Sequence, residues 1–291
     1  MKAIETRNLT KYYGKSRGII GVNLFVEKGD FFGFIGPNGA GKSTTIRTLL
    51  GLLSATKGSA GIFGLDISKD KMKILSKVGY LPSEAMFYNG MRVKDILRLS
   101  ADLRKKNCKR EARVLCERLE LDTSKKIDEL SLGNRKKVGI VCALQHKPEL
   151  YILDEPTSGL DPLMQREFYA ILKERNESGA TIFLSSHALF EVQRYCRHAA
   201  VIREGRILVS DSVENLGHTD VKRVTLRGVN KVPDFEQMKD VKRTKDSLSF
   251  LYSGNPQQLL QALSVLPITD ITIAEPDLEE IFLHYYQKEG M

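Results

Sequence analysis

The sequence predicts an α/β chain, a mainly parallel sheet interleaved with helices, followed by a smaller α+β domain. Three observations carry this. Phe31–Ile35, Leu150–Leu153 and Thr181–Ser185 are short runs too continuously apolar for strands with a wet face, so they read as strands covered on both sides. Segments with helical spacing separate them, and strands joined through helices run parallel. After about Ser210 the texture changes to short strands around two helical stretches.

In chain order, Lys2–Leu9 opens as a strand. In Ile19–Val26, Ile20, Val22, Leu24 and Val26 alternate with period two, which predicts a second strand. Glu27–Asp30 is a turn before strand Phe31–Ile35. Glycines follow, then a helix from Lys42 to Leu53 that ends near Gly58. Ser83–Lys147 is basic and helical, with Val93, Ile96, Leu97 and Leu99 near helical spacing, as are Val114, Leu115 and Leu119. Strand Leu150–Leu153, helix Pro162–Ser178 and strand Thr181–Ser185 come next. A hairpin, Ala199–Arg203 and Arg206–Val209, turns at Glu204-Gly205. These elements set a first domain over 1–210, with its helical subdomain over 83–147, and a second over 211–291. In the second, strands Val221–Leu226, Val241–Thr244, Leu248–Tyr252 and Ile268–Ile273 alternate with helices Asp234–Met238 and Pro256–Leu266. Asn255 and Pro256 suit that helix's cap and first turn, and the β-α-β-β-α-β order is the split ferredoxin-like arrangement. A last helix opens at Asp277 with Glu280 completing a capping box. It carries Leu278, Ile281, Phe282 and Tyr285 on one face.

The 291 residues hold 45 Lys and Arg against 36 Asp and Glu, a net charge of +9. A hydrophobic share of 42% and a charged share of 28% fit a globular chain and exclude disordered and collagen-like classes. No apolar run approaches the roughly 18–20 residues that cross a bilayer, and Met1–Arg7 lacks the apolar core of a secretory signal. Cys108, Cys116, Cys142 and Cys196 show no C-x-x-C spacing, which predicts reduced thiols in an intracellular protein. The basic surplus suits nucleic acid or an anionic membrane surface, although the clusters at Lys69–Lys77, Arg104–Arg113 and Arg135–Lys137 also read as solvated helix faces. No aromatic-interleaved or zinc-type reader accompanies the charge, so no nucleic-acid partner is expected.

Chemistry concentrates at Gly36-Pro37-Asn38-Gly39-Ala40-Gly41-Lys42-Ser43, a G-x-x-x-x-G-K-S phosphate loop between a buried strand and a helix. Gly36, Asn38, Gly39, Ala40 and Gly41 let backbone N–H groups curl around an anion, and the helix N-terminus adds about half a positive charge. Lys42 is expected on the β- and γ-phosphates and the Ser43 hydroxyl on Mg²⁺, with Thr44 beside it. Asp154 and Glu155 follow a buried strand, where open α/β sheets bind ligands. Such a pair often only caps a helix or lines a turn. Beside a phosphate loop it reads as a metal-shell carboxylate, Asp154, and a base that polarises water, Glu155.

Taken together these residues resemble the ATP-binding cassette (ABC) ATPases from Lys2 to Ser210. Leu130-Ser131-Leu132-Gly133-Asn134 is similar to the family signature L-S-G-G-Q, Ser158-Gly159-Leu160-Asp161 to the D-loop, and His187 to the switch histidine. Tyr13 sits where the family stacks an aromatic ring on adenine. The resemblance implies two cassettes facing head to tail with ATP between them. Ser131 and Gly133 of one would meet the γ-phosphate held by Lys42 of the other, with Asp161 linking the sites and His187 sensing the phosphate. Two departures stand out. Ser83 occupies the position of a glutamine that usually contacts the metal, so it would reach the ion only through water, and Leu132 and Asn134 replace Gly and Gln in the signature.

Within that family, a chain with no membrane span implies a separate integral membrane subunit, met by a groove along Ser83–Met91, and a dimer of like or unlike ATPase subunits. Glu275–Phe282 is similar to the tail of bacterial exporters of drugs, peptides and antibiotics. The expectation is thus an exporter ATPase on the inner face of the membrane, driving an amphipathic drug, lipid or antimicrobial peptide. The alternatives are a soluble ABC ATPase without a membrane partner and an importer ATPase. Translation members of the first kind carry two cassettes, DNA-maintenance members carry long heptad insertions, and importers also append small β-rich domains.

Overall fold

The structure, a computed structural model, describes residues 1–217, 221–229, 238–244 and 246–274. The chain divides into two compact units, Met1–Asp211 and Ser212–Met291.

The first unit contains two sheets. One is antiparallel, formed by β1 (Lys2–Tyr13), β2 (Ser16–Val22), β3 (Phe25–Glu27), β5 (Lys57–Ile62) and β6 (Leu65–Asp66). The other includes β4 (Phe31–Ile35), β7 (Val78–Leu81), β8 (Leu150–Asp154), β9 (Thr181–Ser186), β10 (His198–Arg203) and β11 (Arg206–Ser212), in the order β11-β10-β4-β9-β8-β7. Every ladder from β10 to β7 is parallel, as the apolar strands require when both faces are covered. Helix α1 (Lys42–Leu49) packs on β8 of one sheet and on β2 and β5 of the other, so it lies between them. Ile46 and Leu49 of α1 join Leu9, Leu24, Phe34, Ile62, Phe183 and Ile202 in that core. Phe183 stacks on Phe32 at 5.9 Å.

Helix α2 (Lys71–Lys77) leads into β7. Helices α3 (Val93–Leu103) and α4 (Lys109–Arg118) pack on α5 (Leu132–Leu144), which in turn covers β7. Helices α6 (Pro162–Glu177) and α7 (Leu189–Tyr195) pack on β9, α7 also on β4. The four cysteines are unpaired thiols.

Several elements depart from the sequence reading. Strand β1 runs on to Tyr13, because Tyr12 and Tyr13 pair with Arg17 and Ser16. The expected strand over 19–26 breaks into β2 and β3 at Asn23. The Asn23 side chain accepts the Asn8 amide (2.8 Å), and Asn8 itself bulges with φ 48°. Helix α1 stops four residues short of Leu53, where Gly51 turns into the left-handed region at φ 63°. Strands β5 and β6 were not foreseen; Lys57-Gly58-Ser59-Ala60 has too few apolar residues to announce a strand.

In the second unit, α8 (Val213–Gly217) precedes a four-stranded antiparallel sheet of β12 (Lys222–Arg227), β13 (Met238–Arg243), β14 (Ser247–Tyr252) and β15 (Asp270–Ala274), ordered β13-β14-β12-β15. β12 and β13 both run antiparallel to β14, so they are parallel to each other with β14 between them. β14 and β15 flank β12 in the same way. That is a split β-α-β pattern, with α9 (Pro256–Leu263) joining β14 to β15. Asn255 caps α9 by accepting the Gln257 amide at 2.8 Å. Met238, read as the end of a helix, opens β13 instead. Residues 234–237 of that helix, and both the Asp277 helix and the Glu275–Phe282 tail, lie outside the described residues.

Candidate phosphate-binding and hydrolysis site

Strand β4 delivers the chain to Gly36, where a Cβ would lie 2.3 Å from the Ile202 carbonyl, so only glycine lets the loop start this close to β10. At the far end Gly41, with φ 112°, turns the chain into α1. Between them Pro37, Asn38 and Gly39 are exposed. Ala40 donates its amide to Pro37 O (3.1 Å) and accepts that of Gly205 (2.8 Å), so the β10–β11 turn buttresses the loop. That turn has positive φ at both Glu204 (49°) and Gly205 (75°), the type I′ pattern.

Lys42 is 6% exposed. Its ammonium donates to Gly36 O (2.5 Å) and Pro37 O (3.3 Å) and lies 3.0 Å from Glu155 Oε1. The other Glu155 oxygen lies 2.7 Å from His187 Nδ1. Glu155 adopts φ 48°, a conformation costly for a residue with a side chain. Its amide is fixed there by the carbonyl and hydroxyl of Ser185 at 3.2 and 3.1 Å. Three residues predicted from separate motifs thus form one chain, Lys42–Glu155–His187.

Asp154 is fully buried at the end of β8. Its Oδ1 accepts the Ser185 hydroxyl (2.6 Å), while Oδ2 is buried without a hydrogen-bond partner. A buried carboxylate oxygen lacking a donor suits a cation's hydration shell. Among the described residues no three His, Cys, Asp or Glu gather into a metal cage, so an ion here would draw its other ligands from groups such as hydroxyls, water and phosphate. On the other side of the loop, the Tyr13 hydroxyl lies 3.4 Å from Thr44 Oγ1. Lys11 stands 5.7 Å over the half-exposed Tyr13 ring.

Ser131 and Gly133 stand at the start of α5, and Asp161 at the start of α6. Ser131 caps α5 by accepting the Asn134 amide (3.3 Å), and Asp161 caps α6 by accepting the amides of Leu163 and Met164, both at 3.0 Å. A Cβ on Gly133 would lie 2.6 Å from the Gly159 carbonyl, so the two loops touch. Among the described residues, no hydrogen bond joins these three residues to the phosphate loop. Leu132, the bulky departure in the signature, is 73% exposed.

Sequence reasoning missed three supports. Ser185 holds both Asp154 and Glu155 in place. Glu191, 2% exposed, accepts hydroxyls from Thr157 (2.7 Å) and Ser186 (2.8 Å), which ties the segment after Glu155 to the one bearing His187. Lys136, read as part of a solvated face, is 4% exposed and donates to Ser83 O at 2.9 Å. Burial pulls its ammonium down to about 8 against the opposing pull of Asp154, Glu155 and Glu84. The one sequence signal was polar Ser185-Ser186 ending an otherwise apolar strand.

Comparison with known proteins shows what the whole chain is similar to. A family model described as ABC transporter matches residues 19–158. The chain is 37% identical to the bacitracin transport ATP-binding protein BcrA of Bacillus licheniformis, over 96% of both chains. It is 29% identical to the linearmycin resistance ATP-binding protein LnrL of Bacillus subtilis, over 97% of both. A solved structure described as the ATP binding subunit of an ABC transporter superposes with TM-score 0.70 and 30% identity, over 74% of this chain and 91% of that one.

Proposed function

The chain belongs to the ATP-binding subunits of ABC transporters, and on that premise we propose that it drives export of an amphipathic compound through a separate integral membrane subunit. Two of its relatives are named for bacitracin transport and linearmycin resistance, and each aligns along nearly its whole length, including the second unit. Among the described residues, no helix is long and apolar enough to cross a membrane, which suits a subunit seated on the inner membrane face.

In the proposed mechanism the amides of Gly39–Lys42 and the α1 N-terminus cradle the phosphates. Lys42 exchanges its contact with Glu155 for the β- and γ-phosphates. That frees Glu155 to take a proton from a water attacking the γ-phosphorus, as the bond to the ADP oxygen breaks. His187 holds Glu155 and reads the γ-phosphate. Tyr13 offers its ring face to the adenine. Ser43 and Asp154 would hold Mg²⁺, Ser83 reaching it only through water; when bound, the ion neutralises charge developing on the phosphoryl oxygens. Ser131, Gly133 and Asp161 share one surface with exposed Leu132, and a second cassette docking there would bring them to its nucleotide.

The observation that carries this reading is the Lys42–Glu155–His187 chain at the head of α1. Affinity capture of the full chain from a detergent extract tests the partner. Recovery of an integral membrane protein supports the exporter reading, while ribosomes or DNA in its place contradict it.

A further inference from the structure

Lys136 lies in the second turn of α5, the helix whose N-cap is Ser131. A buried ammonium is costly unless polar groups surround it. Here the surroundings are the carbonyls of Ser83 (2.9 Å) and Pro82 (3.4 Å), with Asp154, Glu155 and Glu84 near enough to favour the charged form. Both carbonyls belong to the segment that leaves β7, where the family's metal-contacting glutamine is replaced by Ser83. That segment is therefore held to α5 by a lysine side chain whose charge Asp154 and Glu155 favour.

We propose that Lys136 is a positioning residue of the hydrolysis site. Its ammonium fastens the segment 82–84 to α5 and so sets where Ser83 and Glu84 stand relative to Asp154 and Glu155. The assignment rests on the ATPase reading above. Because Ser131 begins the same helix, the tether also makes the segment after β7 move with the surface expected to meet a second cassette.

The test uses the full-length chain with K136M, K136Q and K136R. In K136M, amide hydrogen exchange over 79–81, the end of β7 paired with β8, measured without nucleotide, should speed up about tenfold, and kcat should fall about tenfold to a hundredfold, as for a lost charged hydrogen bond. KM for Mg·ATP should stay within about threefold, since the phosphate loop is untouched. K136R, which keeps the donors and the charge, should recover most of both losses. Folded K136M with wild-type exchange and kcat overturns the assignment. So does K136R as impaired as K136M, because that pattern marks simple packing. Should K136M fail to fold, K136Q decides by the same two readouts. A wild-type chain that binds no Mg·ATP would instead defeat the reading of the site, while the nucleotide-free exchange would still judge the tether.

Discussion

The Lys42 ammonium and the Glu155 carboxylate lie 3.0 Å apart, and His187 holds the second Glu155 oxygen at 2.7 Å. The residue proposed to grip phosphate and the residue proposed to activate water are thus each other's partners. The proposed mechanism therefore couples binding to activation, with Lys42 exchanging Glu155 for an anion.

Glu155→Gln removes the negative charge that competes for Lys42 while keeping the side chain's shape. Mg·ATP should bind as tightly as to wild type or more tightly. Turnover should drop by about a hundredfold to ten-thousandfold with the loss of the base. Steady-state phosphate release alongside equilibrium nucleotide titration checks both halves, and unchanged turnover would remove Glu155 from its role.

Asp161 has two duties that substitution can separate. Its carboxylate caps α6 through Leu163 and Met164, and Asp161→Ala should cost about 1 kcal/mol of stability. Asp161→Asn keeps a capping oxygen, so its unfolding midpoint should match wild type. If Asp161 also links two nucleotide sites, Asp161→Asn should lose ATPase activity at unchanged stability. Full activity in a stable Asp161→Asn chain would leave the residue a helix cap only.

Acid should weaken the first unit through His146. The ring is 4% exposed, with Nε2 3.3 Å from Val78 O and Nδ1 unpartnered. Burial, then the nearby Arg104 charge, pulls its pKa down to about 4. Between pH 6.5 and 4 the unfolded chain binds a proton at this site that the folded chain refuses, so stability falls as pH falls. The loss should reach about 2 kcal/mol at pH 5. Urea unfolding at pH 7 and pH 5 measures it, and His146→Gln should shrink the difference between the two.

Arg118 of α4 reaches Glu167 (2.5 Å) and both oxygens of Glu174 (2.6 and 2.8 Å) on α6. A half-buried, bidentate network is worth more than an isolated surface pair. Arg118→Ala should therefore lower stability by about 1–2 kcal/mol while leaving Mg·ATP affinity unchanged. Thermal unfolding and nucleotide titration of the same sample check both.

The parts of the site legible in the sequence were those in which neighbours along the chain are also neighbours in space. The loop Gly36–Ser43 needs only the strand before it and the helix after it, and Asp154-Glu155 needs only the strand that ends there. What escaped depends on residues far apart in sequence. Lys136 looks like one more surface lysine beside Arg135 and Lys137, and only the packing of α5 on β7 turns it toward Ser83. Ser185 looks like the polar end of a strand until parallel pairing sets it against Asp154. In the fold, β5 was invisible because its pairing with β1, not its own apolar content, holds it in place.

In the proposed function, the phosphate loop and Lys42 grip a nucleotide whose hydrolysis Glu155 then assists. Titration calorimetry of Mg·ATP into the full-length protein, wild type beside Lys42→Ala, tests it most directly. Wild type should give saturable heat, and the variant at least about a tenfold loss of affinity, the cost of a charged hydrogen bond to phosphate. No heat with wild type, or equal affinity in both, would contradict it.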